Sequence, residues 1–345
     1  MYYVTIDCGT TNSRAYVVDR AGKVYGKAVK QVGVRDTATT GSRDTLRAGV
    51  REIVAEAVDQ AGIRMSDVAV ILSSGMITSE IGLVEIPHLM APCGVSELAA
   101  NMVQVQDTGI ADPEVPVYFV RGIKNKMDSA DARPATQVVG ELDFMRGEET
   151  QVAGILLRND ISLPVTIVIL SSHTKFIPID ENGTVLGSLT TMSGQVYDAV
   201  LNHTFVGKSV GENEKDKTAP EGYFDPDVVS DALAWIQKVG LVRSLMFPRF
   251  LDVLLDTTWY ERRLFLEAMI AAEDLLAIGQ LDMLSSHTFT NFVLVGVEER
   301  CRLYRHILTQ TIPGAQIASI TKTNEIDRLS IHGILAVARK AGIVK

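Results

Sequence analysis

Cysteine is scarce: Cys8, Cys93 and Cys301 are the only three in 345 residues. Odd in number and far apart, they fit neither a zinc spacing nor a disulfide framework, which points to a reducing cytoplasm. A basic excess is also lacking. The 33 Lys and Arg stand against 42 Asp and Glu, a net charge of −9, whereas nucleic acid and anionic membranes need a positive field. Long apolar runs are missing too. Val165 to Leu170, among the longest, falls far short of the roughly 20 residues that span a bilayer. The N-terminus enters a strand directly, without the basic and apolar regions of a leader, so no signal peptide is expected. The six histidines show no H-E-x-x-H or paired spacing, which argues against a zinc site. What is present is an ordinary globular composition, 46% hydrophobic and 22% charged. The chain is long enough for two domains with full-sized cores.

Apolar residues at three- and four-residue spacing (Leu46, Val50, Ile53, Val54, Ala57, Val58) predict a helix over residues 44 to 61, stopped by Gly62. Short apolar runs at Val68 to Leu72 and Val115 to Val120 read as buried strands, and the alternation predicts an α/β architecture. The polar stretch "KNKMDSADARPATQ", residues 124 to 137, lacks apolar periodicity and reads as a linker. It divides the chain into domains over 1–133 and 134–345. The second half turns helical through residues 225 to 247 and 261 to 281, with a surface loop at 207 to 222. A strand over Phe292 to Val295 ending in Gly296, a helix through Tyr304 and a last helix over 325 to 342 follow. Trp235 and Trp259 lie in helix-patterned segments and are expected in the core. "GKS" at 207 to 209 ends like a Walker A loop but lacks its first glycine, Asn202 standing there.

Two stretches resemble each other. "DRAGKVYG" at 19 to 26 returns as "DENGTVLG" at 180 to 187, an Asp-x-x-Gly turn between two strands. Each is preceded by an apolar strand, a loop of small hydroxyl residues and a second apolar strand, which suggests a duplicated fold with a site shared by two facing loops. In the first copy the buried strand ends on Asp7, followed by Cys8, Gly9, Thr10 and Thr11. Turn amides and two hydroxyls suit phosphate oxygens, and Asp7 suits Mg²⁺, held directly or through water. The blander reading is a capped hairpin, but a carboxylate ending a buried strand needs a partner.

"DCGTTNSRAY" resembles the first phosphate loop of the superfamily of sugar kinases, actin and chaperone ATPases. "SGMITSEIGLVEIPHLMAP" (74 to 92), "GELDFMRGEETQVAG" (140 to 154) and "SSHTKFIPID" (171 to 180) narrow this to a resemblance to the 2-dehydro-3-deoxygalactonokinase family over most of the chain. The resemblance implies a two-domain α/β fold, actin-like and built from ribonuclease H-like halves, with Mg-ATP in an interdomain cleft. It also implies ATP-dependent phosphorylation of the terminal hydroxyl of a 2-keto-3-deoxy sugar acid. It makes Glu148 of "MRGEETQ" the first candidate for the base, Glu149 the second and Asp143, just upstream, the third, with Arg146 facing the sugar-acid carboxylate. The alternative is a solvated charge cluster at a helix start. Gly9, Thr10 and Thr11, the second loop's Ser172, His173, Thr174 and Lys175, and Gly296 are the expected ATP contacts. Arg14, Ser74, Gly75, Met76 and Glu85 are the expected sugar contacts. The implied partners are the sugar acid and ATP, with neither nucleic acid nor membrane, and a homodimer is allowed. Three positions depart from the family pattern: Ser171 where a Gly stands before Thr, Val297 in place of a second Gly, and Glu80 where an Arg is common. They motivate a rival expectation, a nucleotide- or sugar-binding regulatory homologue without efficient transfer.

Overall fold

The computed structural model of the chain describes residues 1–126, 133–212, 218–281, 284 and 289–345. The strands are β1 (Tyr2–Cys8), β2 (Ser13–Val18), β3 (Val24–Lys30), β4 (Val68–Gly75), β5 (Leu89–Met90), β6 (Val103–Val105), β7 (Val117–Phe119), β8 (Ile123–Lys124), β9 (Phe144–Met145), β10 (Val165–Leu170), β11 (Thr174–Ile179), β12 (Leu189–Thr191), β13 (Asn291–Val295) and β14 (Gln316–Ile320). The helices are α1 (Val34–Thr40), α2 (Asp44–Gln60), α3 (Val95–Ala100), α4 (Ala135–Val138), α5 (Glu148–Ile155), α6 (Ser193–His203), α7 (Gly207–Val210), α8 (Pro226–Ser244), α9 (Phe247–Leu254), α10 (Trp259–Ile278), α11 (Glu298–Thr311) and α12 (Thr323–Lys340). Two compact units result. The first holds Met1–Pro164, Ile179–Ser188 and Thr323–Lys345; the second holds Val165–Pro178 and Leu189–Lys322.

In the first unit a six-stranded sheet runs β3-β2-β1-β4-β7-β6. Tyr3 to Ile6 form a central strand, antiparallel to β2 and parallel to β4, so the run is apolar on both faces. The predicted face of α2 (Leu46, Val50, Ile53, Val54, Ala57, Val58) is buried in the same core as Val4, Ile6 and Ile71. Covering apolar surface, worth roughly 25 cal/mol per Å², drives that packing. A small sheet, β5-β8-β9, completes the unit. Helices α5 and α12 pack backbone to backbone: a Cβ on Gly154 would lie 2.1 Å from the Leu329 carbonyl oxygen, and one on Gly333 1.8 Å from that of Thr150. Only glycine permits such an approach.

The second unit carries a five-stranded sheet, β12-β11-β10-β13-β14, and helices α6 to α11. Helix α8 starts where "DPD" places an N-cap and a first-turn proline: the Asp225 carboxylate accepts the Asp227 amide at 2.9 Å. Thr258 and Glu261 form a capping box at the head of α10. In both sheets the first three strands of the unit lie side by side in the order third, second, first, followed by three further strands in the first sheet and two in the second. The duplication is that of the actin-like fold, two ribonuclease H-like halves.

The repeat is closer than "DxxG" shows. β11 matches β2 residue for residue at a displacement of 161, the distance from Asp19 to Asp180. The turns share their bonds. Asp19 Oδ1 accepts the amides of Ala21 and Lys23 at 2.8 and 3.0 Å, and Asp180 Oδ1 those of Asn182 and Thr184 at 2.9 and 2.7 Å.

Several expectations are corrected. The division of the chain falls at Pro164/Val165, with returns to the first unit over Ile179–Ser188 and from Thr323, and not near 134. Residues 134 to 164 stay in the first unit because α5 is bound to α12. The expected linker over 124–137 is cut back at both ends, since Lys124 closes β8 and Ala135–Val138 is helical; residues 127–132 lie outside the described residues. Gly207 to Val210 is a short helix whose Gly207, Ser209 and Val210 are buried, so this part of the expected surface loop is interior; residues 213–217 lie outside the described residues. Trp259 is core, but Trp235 is 43% exposed, edge-on to Phe247 with Lys238 over its ring. Among the described residues no helix is long and apolar enough to cross a membrane.

Candidate active site

The first loop joins β1 to β2 through Gly9 to Asn12. Its carbonyl groups are turned toward the start of α1, where the Val34 and Arg35 amides donate to Gly9 and Thr10 at 3.3 and 2.9 Å. A Cβ on Gly33 would lie 2.4 Å from the Thr10 carbonyl oxygen, so the helix start meets the loop only as glycine. With the carbonyls so engaged, the Thr10 and Thr11 amides bond to no acceptor among the described residues. Such a turn of unpaired amides is an anion cradle. Asp7 stands beside it, opposite Arg14 in register, its carboxylate 3.6 Å from the Arg14 guanidinium and 29% exposed. Burial raises its pKa, against the Arg14 charge and aided by Asp327 of α12.

The ends of β1 and β4 lie side by side, Asp7 pairing with Ser74 and Cys8 with Gly75. Gly147, the N-cap of α5, has φ 108°, and a Cβ on it would lie 3.4 Å from the Gly75 Cα. The head of α5 therefore reaches the carboxyl ends of the two central strands, where α/β sheets hold ligands. Glu148 is half-buried there. Glu149 is 1% exposed; its Oε2 accepts the Gly147 amide at 2.7 Å, while Oε1 is buried and has no hydrogen-bond partner among the described residues. Burial, reinforced by the Glu148 charge, pushes the Glu149 carboxyl up to about 8, against the Gly147 amide and Arg146. Burial outweighs the helix-start field, which favours anions by only about 1 kcal/mol.

Arg146 precedes this helix. Its Nη1 donates to Thr78 Oγ1 at 2.6 Å and its Nη2 to the Ile86 carbonyl at 2.8 Å, with His88 Nδ1 at 3.4 Å. Burial and the Arg146 and Lys124 charges pull His88 down to about 4. The ring is neutral near pH 7, and since guanidinium only donates, Nδ1 is the acceptor and the ring proton sits on Nε2. Ser74 is buried, Met76 half-buried and Glu85 exposed.

In the second unit Ser171 to His173 join β10 to β11. Gln195, in the first turn of α6, donates to the Ser172 carbonyl at 2.8 Å, and a Cβ on Gly194 would lie 2.2 Å from the Ser171 carbonyl oxygen. Gly194 is Gly33 displaced by 161. Ser171 and Ser172 are exposed and His173 half-buried, with Ser172 Oγ 3.3 Å from His173 Nδ1. Thr174 and Lys175 point elsewhere. The buried Thr174 hydroxyl bonds Ser193 at 2.7 Å, and the buried Lys175 ammonium donates to Thr190 Oγ1 at 2.7 Å. Gly296 packs on the end of β10, its virtual Cβ 2.9 Å from the Leu170 Cβ.

The structure thus brings together Asp7, Gly9, Thr10, Thr11, Arg14, Ser74, Gly75, Arg146, Glu148 and Glu149 in the first unit, with Met76 next in chain. Ser172, His173 and Gly296 gather at the loop of the second. Asp143 is set apart from the base candidates, its Oδ1 accepting from the Phe144 amide and the Ser188 hydroxyl. Thr78, His88, Gly33, Gly194 and Arg300 escape sequence reading. The two glycines carry a usable signal, each standing 14 residues after the aspartate of its turn; the other three become visible only through packing.

The sequence pattern of the 2-keto-3-deoxy-galactonokinase family matches residues 7–336. A Rhizobium meliloti (strain 1021) protein named as a probable 2-dehydro-3-deoxygalactonokinase is 24% identical over 211 residues, 61% of this chain and 60% of that protein. The Escherichia coli (strain K12) 2-dehydro-3-deoxygalactonokinase is 23% identical over 217 residues, 63% of this chain and 62% of its own length. The matched stretch thus spans about three fifths of each of these relatives. A crystal structure from Sinorhizobium meliloti carrying the 2-dehydro-3-deoxygalactonokinase name superposes with a TM-score of 0.72 at 20% identity, covering 98% of this chain and 96% of that one, and shares its fold.

Proposed function

The chain belongs to the 2-keto-3-deoxy-galactonokinase family, and from that premise we propose that it transfers the γ-phosphoryl group of ATP to the terminal hydroxyl of a 2-keto-3-deoxy sugar acid. 2-Dehydro-3-deoxygalactonate is the first substrate to test. The observation that carries this reading is the pair of loops, each with a carbonyl drawn to a helix-start amide (Thr10 to Arg35, Ser172 to Gln195) and two amides, those of Thr10 and Thr11 in the first and of Ser172 and His173 in the second, without an acceptor among the described residues. Phosphoryl transfer is chiefly positioning and charge stabilisation, and such amides supply both.

The first loop fits Mg²⁺ held with phosphate. Among the described residues no cluster of three or more His, Cys, Asp or Glu forms a protein-only metal cage. Mg²⁺ keeps several waters and takes one or two carboxylates plus phosphate oxygens, which a single Asp7 suits. When bound, the ion neutralises charge on the phosphates.

Two adjacent carboxyls sit in different environments. Glu149, buried and held protonated near pH 7, is not the base. Glu148, half-buried at the same helix start, is the group that takes the proton of the sugar hydroxyl. Arg146 braces the 76–88 segment through Thr78 and Ile86 and places positive charge beside the sugar-acid carboxylate. The three cysteines are buried and free, their thiols pushed up to about 12, first by burial, which suits a reducing cytoplasm.

A coupled ADP-release assay over several keto-deoxy sugar acids and aldonates tests the proposal. Sugar-acid-dependent ADP release is expected. Nucleotide binding without release for any of them would overturn it in favour of a regulatory homologue, the reading motivated by Ser171, Val297 and Glu80.

A further inference from the structure

The two loops hold the same carbonyl by different means. In the first, the Thr10 carbonyl is taken by a helix amide, that of Arg35, at 2.9 Å. Its counterpart in the second, Ser171, is taken by Arg300, in the first turn of α11, whose Nη1 donates to the Ser171 carbonyl at 2.5 Å. The other arm of the guanidinium, Nη2, donates to Thr174 Oγ1 at 3.0 Å and reaches Ser193 Oγ at 3.4 Å. One side chain therefore ties together the loop, the start of β11 and the start of α6. It is backed in turn by the Tyr304 ring, 5.8 Å away, whose hydroxyl donates to the buried Asp274 carboxylate of α10.

We infer that Arg300 is a positioning residue of the second loop: its guanidinium replaces the helix amide used in the first unit, turns the Ser171 carbonyl away, and so leaves the Ser172 and His173 amides aimed at nucleotide phosphate. The inference rests on the reading of this loop as a phosphate loop. A planar fork is required, because a point-charge ammonium cannot hold the Ser171 carbonyl and the Thr174–Ser193 hydroxyl pair together. Without the fork, a carbonyl oxygen is free to swing toward the phosphates, where like partial charges repel.

Calorimetric titration of the full chain with Mg²⁺ and a non-hydrolysable ATP analogue tests this, with circular dichroism to establish folding. Arg300→Met should weaken nucleotide binding roughly tenfold, the scale of a lost charge-assisted hydrogen bond, with the sugar-acid KM unchanged. Arg300→Lys should recover little of that loss. Arg302→Met serves as the control for structural damage. Arg302 holds the Gly222 and Tyr223 carbonyls from the same helix, and its loss should lower Tm while leaving nucleotide affinity intact. Wild-type affinity in folded Arg300→Met, full recovery in Arg300→Lys, or equal weakening in Arg302→Met would each overturn the inference while the phosphate-loop reading stands. If Arg300→Met does not fold, Arg300→Lys carries the test alone. A wild-type chain that binds no nucleotide sinks the phosphate-loop reading and the inference with it.

Discussion

Replacing Glu149 by Gln keeps the side-chain shape and removes a titration. In the folded chain the Glu149 carboxyl is pushed from 4.5 up to about 8, first by burial and then by Glu148. The unfolded chain releases the proton near 4.5, so between those values the folded state binds one proton more. Stability contributed by the protonated group is therefore complete below about pH 4.5 and is lost as pH rises toward 8, at about 1.4 kcal/mol per pH unit. Over the whole window this reaches roughly 5 kcal/mol as an upper bound. Glu149→Gln should match the wild type near pH 5 and exceed it by a few kcal/mol at pH 8.5. Urea unfolding of both proteins at pH 5.5, 6.5, 7.5 and 8.5 measures this. Other groups cancel in the difference between the two chains, and the two-unit architecture makes that difference safer than either absolute value. Parallel stability profiles would refute the claim that Glu149 is held protonated. Because its side chain is 1% exposed, the same substitution should leave the sugar-acid KM near its wild-type value.

Three further substitutions probe the site. Glu148→Gln should lower kcat roughly a hundredfold or more, the scale of general-base loss, with little change in ATP affinity; a wild-type rate in an active enzyme would remove Glu148 from the chemistry. Asp7→Asn should raise the Mg²⁺ concentration needed for half-maximal turnover while circular dichroism stays unchanged, and an unaltered Mg²⁺ titration would count against the metal role. Gly154→Ala drives a Cβ to 2.1 Å from the Leu329 carbonyl oxygen, so α5 must move off α12. A stability loss of about 1–3 kcal/mol should come with a drop in kcat, and an undiminished rate would show that the seat of α5 does not set the position of Glu148.

Local patterns carried most of the fold. The α2 stripe, the central strands and the Asp-x-x-Gly turns all read from residue type and spacing, because each is fixed by neighbours in sequence. The division of the chain did not. α12, the last helix, returns to the first unit through Gly154 and Gly333, a contact between residues 179 apart, and no local composition announces it. The loops were legible as hydroxyl-rich turns after buried strands, but which hydroxyls and charges stay available was not. Strand pairing turns Lys175 to Thr190, and α11 claims the Thr174 hydroxyl. The two neighbouring glutamates look alike in "GEET"; their separation into a buried acid and a half-buried base candidate is set by the helix geometry around Gly147.

The two halves differ most where they are otherwise most alike. At the displacement that maps β2 onto β11, Asp7 corresponds to Val168, which is fully buried in β10. A carboxylate at such a position opposes folding, since burial disfavours its charge, and Asp7 shows that strain in its raised pKa. A valine would remove the strain, and the second unit has it. Arg14 and Lys175 correspond in the same way. Arg14 stays beside the carboxylate, 3.6 Å from Asp7, whereas Lys175 donates to Thr190. The scaffold itself therefore has no need of the acid, because one half does without it. Under the proposed function, retaining a costly carboxylate in one loop alone fits a division of labour in which the first loop would serve a phosphate that carries a cation and the second a bare phosphate held by amides.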